Sequence, residues 1–539
     1  MYPSKPGRDH LGLGSVSSDQ ILIALSPGIY VLTIHPRYYS FYIFLLDEFW
    51  RRDRPRSRKA WIAFYRPREF IFSVGANLCD QPEHGVMANI VGGQKTAPLA
   101  AQQLPKYDTT FHYIDSELGG YGLYYRSVMV ELGLVYPGGP GFPYAIDVPT
   151  PRGKEVAAAF REAVQDSAYY RRYFDKDDSQ VPIEIIKDYI RSACLCQLQQ
   201  TTAPDRPLLL DTFLHGGNNP GPRRATLQLL LDIASKTQGH EIQQYDFRQL
   251  LYFGATDNGA RYKSEPALAS QAYQWRLYQA REYYAFALNA LWYYLCEWGL
   301  GQGGDAHPIS VESLWRHLTD EVLVFSRLAT QLKVDRTNVK ASSGMQQLMD
   351  WLQEIVNTNG KSFDLACNLA SPINEGRLYW LILDNPSAPV AVLACIALLA
   401  MVYLRFGQPH LWMQPEWSIS QMGADGRLSL DGFVKQMRAR LQRGPVTISE
   451  IVRWLYTDYV ILQHQLVATS KLPDNTFRFQ REGDRLRFFK LDNSLGFTDS
   501  RFVALNTTVH ELGLCGDFGH KKHQLTADGR RLLEKGDLK

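Results

Sequence analysis

Cysteine is scarce in this chain: seven in 539 residues, at positions 79, 194, 196, 296, 367, 395 and 515. The odd number, the low density and the apolar helical text around most of them describe reduced, buried thiols, not a disulfide scaffold. Cys194 and Cys196 form a lone Cys-x-Cys with no second pair at ligand spacing. Residues two apart on a helix point in different directions, so no metal centre is expected. Charge of one sign is also missing. Lysine plus arginine number 58 and aspartate plus glutamate 55, a formal net charge of +3. That balance excludes a protein that coats nucleic acid by bulk charge and leaves room only for a local basic patch. Long apolar runs are absent too. The longest, Val390 to Leu404, has 15 residues and is closed by Arg405. A spanning helix needs about 18 to 20, so a buried core helix is expected. The N-terminal text has no apolar segment of signal-peptide type. A soluble cytoplasmic protein without membrane attachment is the reading.

Catalytic signatures are missing as well. VGGQKT (residues 91–96) has Gln94 where a phosphate loop needs glycine before lysine, and Pro98 follows closely. Ile183-Glu184-Ile185-Ile186-Lys187 has the wrong spacing for a metal-dependent nuclease. No His-x-x-x-His and no Gly-x-Ser-x-Gly occurs. No catalytic residue and no cofactor is therefore assigned.

What is present is helix. Aromatics make up 12% of the chain, with 30 tyrosines, 25 phenylalanines and 11 tryptophans, so rings should build much of the core. Residues 38–50 are apolar nearly all round and end in arginines, which suit the negative end of a helix dipole. A second helix should start near Trp61, and residues 80–113 read as loops. Helices dominate 180–470. Ala267 to Leu300 runs 34 residues with no proline and no glycine before Gly299, roughly 50 Å of helix. Thr476–Phe489 alternates around Glu482-Gly483-Asp484 as a β-hairpin.

One skeleton occurs twice. Helical text ends in Glu131-Leu132-Gly133-Leu134, a turn-rich insert follows, and Thr150-Pro151-Arg152-Gly153-Lys154 opens a new helix. Near the C-terminus Glu511-Leu512-Gly513-Leu514 leads through an insert to Thr526-Ala527-Asp528-Gly529-Arg530. Glutamate and threonine are 19 residues apart in the first copy and 15 in the second. Glycine after leucine suits a helix end, and threonine before the next helix suits its N-cap. The skeleton resembles the end of a winged-helix domain, in which a helix runs into a β-wing and then a further helix. The resemblance implies a mainly α, multi-domain helical protein with two small winged-helix-like modules, either of which could touch DNA or serve only as packing. The segments read as a 1–110 aromatic and arginine-rich helical region, a 111–175 winged-helix-like module, a 176–470 helical core, and a 471–539 hairpin with the second module.

The basic text lies at 51–69, where Arg51, Arg52, Arg54, Arg56, Arg58, Lys59, Arg66 and Arg68 face only Asp53 and Glu69 and interleave with Trp50, Trp61, Phe64 and Tyr65. Arginines supply phosphate contacts and rings can stack on bases. A solvated connection, paired with acids elsewhere, is the competing reading. Arg51, Arg52, Arg66 and Arg68, with Lys521 and Lys522 in the second insert, are the candidate nucleic-acid contacts. Ser26-Pro27-Gly28, Thr33 and Arg37-Tyr38-Tyr39-Ser40-Phe41 together are similar to a signature of uncharacterised bacterial anti-phage defence-island proteins. That resemblance implies a bacterial intracellular setting and a role beside a nuclease or helicase, and carries over no catalytic residue. The expectation is a non-catalytic subunit that binds nucleic acid, DNA first, or scaffolds other protein subunits. A nuclease with a site assembled only in three dimensions and a pure protein-interaction adaptor stay open.

Overall fold

The computed structural model describes the chain except residues 1–8, 85–88, 178, 336, 357–362, 364–368, 424–425, 491–492 and 539. It is 61% helical and 5% strand, a mainly α protein. Two compact units are interleaved along the sequence. One comprises Met1–Ala24, Tyr245–Lys263 and Ala269–Ser500; the other comprises Leu25–Gln244, Ser264–Leu268 and Arg501–Lys539.

The first unit is built on the long helix, Ala269–Gly301, which packs along Pro389–Phe406. Both are buried around most of their circumference, as helices without a single apolar stripe should be. Pro389–Phe406 is long and apolar enough to cross a membrane, and 78% of it is buried inside the protein. The anticipated hairpin forms from Phe479–Glu482 and Arg485–Phe488, and Ile309–Ser310 adds a third strand beside the latter. Phe488 lies against Gly299, where a Cβ would come within 2.2 Å of the ring. This hairpin belongs to the first unit, whereas 501–539 belong to the second.

The second unit has an aromatic core. Tyr38, Tyr39, Phe41, Tyr42 and Phe44 of helix Arg37–Arg51 are fully buried. Phe41 stacks on Phe72 at 4.1 Å between centroids and meets Phe160 edge-on at 6.1 Å. Phe72 comes from helix Arg58–Leu78 and Phe160 from Pro151–Val164. Buried Glu69 is satisfied by the Tyr42 and Tyr113 hydroxyls and the Gly120 and Tyr121 backbone N–H groups, as a buried carboxylate requires. Burial, with Glu69 adding to it, pushes the Tyr42 hydroxyl far above its ordinary range.

Residues 80–113 are not all loop. Gly93–Ala101 is a helix and Lys106–Asp108 pairs with Gln180–Pro182. Gly92, with φ of 72°, turns the chain into a run rich in alanine, and Thr96 bonds Ser73 across to the neighbouring helix at 2.8 Å. Those contacts outweigh Pro98.

The Ser26-to-Phe41 motif is structural. Arg37 is buried, bonded to Asp205 at 3.2 Å and to the Cys194 carbonyl at 2.5 Å. Gly28 has φ of 76°, and a Cβ there would meet Leu132 at 2.7 Å. The carbonyls around it accept from Arg223 and Arg501.

Candidate functional site

The two copies of the skeleton are the same structure, bond for bond. In the first, Gly133 (φ 72°) donates to the Val130 carbonyl at 3.0 Å and Leu134 to Met129 at 2.9 Å. In the second, Gly513 (φ 68°) donates to His510 at 2.9 Å and Leu514 to Val509 at 2.8 Å. Each is a Schellman helix end that needs a left-handed residue after the cap. Thr150 then donates its N–H to Leu134 O at 3.0 Å and its hydroxyl to Gly133 O at 2.7 Å, while Oγ1 accepts from Gly153 N–H at 3.0 Å. Thr526 repeats this with Leu514 at 3.0 Å, Gly513 at 2.8 Å and Gly529 at 3.1 Å. A Cβ on Gly153 would sit 2.1 Å from Leu134 O, and one on Gly529 would sit 1.9 Å from Leu514 O. Glycine is required because the new helix starts against the carbonyl that ended the old one.

The glutamates of the skeleton also converge. Glu131 accepts from the Tyr30 hydroxyl at 2.7 Å, and Glu511 meets His35 Nδ1 at 2.6 Å. Both modules are thus pinned to one short segment.

Each insert is a hairpin. Val135–Tyr136 pairs with Val148–Pro149 in the first, and Cys515 bridges Leu525 in the second. The first tip shows rings to solvent: Tyr136 is 52%, Phe142 49% and Tyr144 48% exposed. Asp147 braces it, taking the Gly138 N–H at 2.7 Å, the Tyr121 hydroxyl at 2.6 Å and Arg126. A cavity of about 230 Å³ beside it is lined by Arg58, Trp61, Tyr65, Arg126 and the tip backbone. The second tip is dibasic, with Lys521 and Lys522 both exposed. Its backbone is held at Lys521 O by Gly239 N–H at 2.9 Å. His523 is buried under it, stacked on Phe518, and desolvation lowers its pKa below the ordinary histidine value.

The arginine cluster divides. Arg68 is 1% exposed; it donates to the Phe64 and Phe174 carbonyls, pairs with Asp177 at 3.2 Å and lies over the Phe64 ring. It presents nothing to a phosphate. Arg52 is bound by Glu48 and Asp175, and Arg66 holds the Ser116 and Ile114 carbonyls while covering Tyr113. Arg54 pairs with Asp177 at 2.8 Å, and Arg56 caps the carbonyls of Phe49, Trp50 and Arg52. The partners Asp175 and Asp177 lie over a hundred residues on in the chain and restore a balance that the local count of cations concealed. Arg51, with a 60% exposed side chain 3.9 Å from Asp47, remains open to solvent. So do Arg58, 3.4 Å from Glu117, and Lys59.

The VGGQKT segment borders a cavity of about 640 Å³. Lys95 sits in a helix's first turn and is paired with Asp115 at 2.7 Å, the carboxylate among the described lining residues.

The cysteines hold a surprise for the local reading. Cys194 is not helical: with φ −56° and ψ 149° it breaks the chain between helix Ile183–Ala193 and a 3₁₀ turn at Leu195–Gln199. Cys194 and Cys196 therefore fold towards the same place. Cys79, at the end of helix Arg58–Leu78, and His84, in a short 3₁₀ turn, meet them there. All four ligating atoms lie within 4.8 Å of one another.

Comparison of the chain with protein families, with curated proteins and with solved structures finds no match.

Proposed function

We propose that this chain is a non-catalytic, nucleic-acid-binding and scaffolding subunit of a larger bacterial assembly in the cytoplasm, its two helix–hairpin–helix modules acting as winged-helix-like elements. The observation that carries the reading is the repetition. Two segments nearly four hundred residues apart rebuild the same helix end, the same threonine cap and the same close glycine, and each sends a hairpin tip to solvent. Lys521 and Lys522 on one tip, with Arg51, Arg58 and Lys59 exposed on the same unit, are the phosphate contacts of this reading. Arg52, Arg66 and Arg68 act instead as positioning residues that hold the Arg51–Lys59 segment in shape. The Ser26-to-Phe41 signature is buried as a packing element between the modules' anchors, and the anti-phage defence setting of this reading rests on the resemblance of those residues alone.

The test is fluorescence anisotropy on labelled duplex DNA over a salt series. Lys521→Glu with Lys522→Glu is expected to weaken binding and to lower the salt slope by roughly 1 to 2. An unchanged slope in this variant and in Arg51→Glu/Arg58→Glu would refute the contact assignment. One observation favours a second reading, a protein-interaction adaptor: the first tip carries three exposed rings among Pro137, Pro140 and Pro143. In that case Tyr136→Ser/Phe142→Ser/Tyr144→Ser releases a co-purifying partner chain and leaves DNA affinity unchanged.

A further inference from the structure

We propose that Cys79, His84, Cys194 and Cys196 bind one Zn²⁺ in a closed tetrahedral Cys₃His site. The chemistry of the donor set comes first. Three thiols and an imidazole gather from two places in the chain, His84 and Cys194 being 110 residues apart and Cys79 and Cys196 117. Thiols are weak hydrogen-bond partners for one another, so burying three together gains little unless they share a cation. Cys194 and Cys196 are fully buried, and Cys79 and His84 are half-buried.

The spacing fits the ion. Zinc–sulfur bonds of about 2.3 Å at tetrahedral angles put sulfurs about 3.8 Å apart, and zinc–nitrogen bonds of about 2.0 Å put sulfur and nitrogen about 3.5 Å apart. Cys79 Sγ and Cys196 Sγ are separated by 3.8 Å, and Cys194 Sγ and His84 Nδ1 by 3.2 Å. Binding would release the three thiol protons to solvent and leave three thiolates, one neutral imidazole and one divalent cation, a net charge of −1. The buried Arg37 guanidinium, bonded to the Cys194 carbonyl at 2.5 Å, stands beside that charge. Four protein ligands leave no open position, so the zinc is structural. It would fasten the end of helix Arg58–Leu78 to the break after Ile183–Ala193. Gly75 already lets these two helices approach closely, since a Cβ there would meet Ile190 at 3.0 Å.

The experiment is metal analysis of the full-length chain, purified under reducing conditions without chelator, with cobalt reconstitution in parallel. The expected result is about one zinc per chain, and with Co²⁺ a thiolate charge-transfer band and the d–d bands of a tetrahedral site. Cys194→Ser/Cys196→Ser should lower bound zinc at least about ten-fold, whereas Cys515→Ser, a buried thiol outside the cluster, should retain it. Because the double variant could fail to fold, His84→Cys provides a second handle: it should keep the metal and shift the cobalt charge-transfer band towards that of four thiolates. Two results overturn the proposal. One is wild-type protein that holds no zinc and gives no cobalt band. The other is a Cys79–Cys196 disulfide found by mass spectrometry in the folded protein as isolated, with no metal bound.

Discussion

Adding one methyl group at Gly529 should be among the most damaging single changes to the second unit. The Cβ of Gly529→Ala would lie 1.9 Å from Leu514 O, against an ordinary contact of about 3.2 Å, so the start of helix Ala527–Lys535 must retreat by about 1.3 Å. That retreat draws Gly529 N–H off Thr526 Oγ1 and Thr526 N–H off Leu514 O, bonds of 3.1 and 3.0 Å. Overpacking costs about 1 to 3 kcal/mol, loss of the cap about 1, and loss of the backbone bond about 1, for a sum of about 3 to 5 kcal/mol. Gly153→Ala, with its Cβ 2.1 Å from Leu134 O, should cost the same within error. Both sites lie in one compact unit, so both should lower the same thermal transition, by roughly 8 to 15 °C. The control is Gly221→Ala. Nothing lies within 4 Å of its Cβ, it sits in helix Pro220–Lys236, and it should be neutral or gain up to about 1 kcal/mol. Differential scanning fluorimetry with urea titration reads all three. If Gly153→Ala and Gly529→Ala fall within about 0.5 kcal/mol of the parent protein, the equivalence of the two modules fails.

Other expectations follow from single sites. Desolvation, assisted by the charges of nearby His10, Arg478 and Lys471 and opposed by the bond to His10 O, lowers the pKa of buried His464 from 6.5 to about 3. Its ring is satisfied as the neutral form, facing His10 O at 3.1 Å and accepting Arg478 N–H at 3.0 Å. The unfolded chain therefore takes up a proton below pH 6.5 that the folded chain refuses. That contribution to stability is whole above pH 6.5 and falls by about 2 kcal/mol at pH 5, and His464→Gln should flatten the pH 5–7 slope of urea midpoints. Arg68→Ala should cost about 2 to 4 kcal/mol by denaturation while leaving the salt slope of DNA binding unchanged; a changed slope with native stability would mean that the side chain reaches phosphate after all. Leu398→Ala, at a fully buried position of helix Pro389–Phe406, should cost about 2 to 5 kcal/mol, and a cost below about 1 would argue against its place in the core.

The features read correctly along the chain are those whose cause is local. Helix Ala269–Gly301 was visible because proline and glycine are absent through Trp298. The hairpin Phe479–Phe488 announced itself by alternation around Gly483, and Thr150 and Pro151 by their preference for helix starts. The duplicated skeleton was legible because its glycines and threonines satisfy backbone groups a few residues away. The arginine cluster misled for the complementary reason. Arg54 and Arg68 look unpaired along the chain, and Asp177, which holds both, arrives only when helix Ala168–Arg172 packs alongside, as does Asp175, which joins local Glu48 on Arg52. Cys194 and Cys196 escape a local reading in the same way, since a helical register would point them apart and the chain in fact breaks at Cys194.

By itself, then, the sequence determined that this is a mainly helical protein, where its long helices run, that Val390–Leu404 belongs inside, and that one helix–hairpin–helix skeleton occurs twice. Backbone hydrogen bonding and side-chain period act over three to five residues, so they can be read in the order of the chain. Tertiary structure alone decided which arginines are spent on carbonyls and carboxylates, which rings reach solvent, and that two cysteines meet a third and a histidine. Those outcomes depend on packing between segments more than a hundred residues apart, and the distances that set them exist only after the core of Tyr38, Phe41, Phe72 and Phe160 has closed.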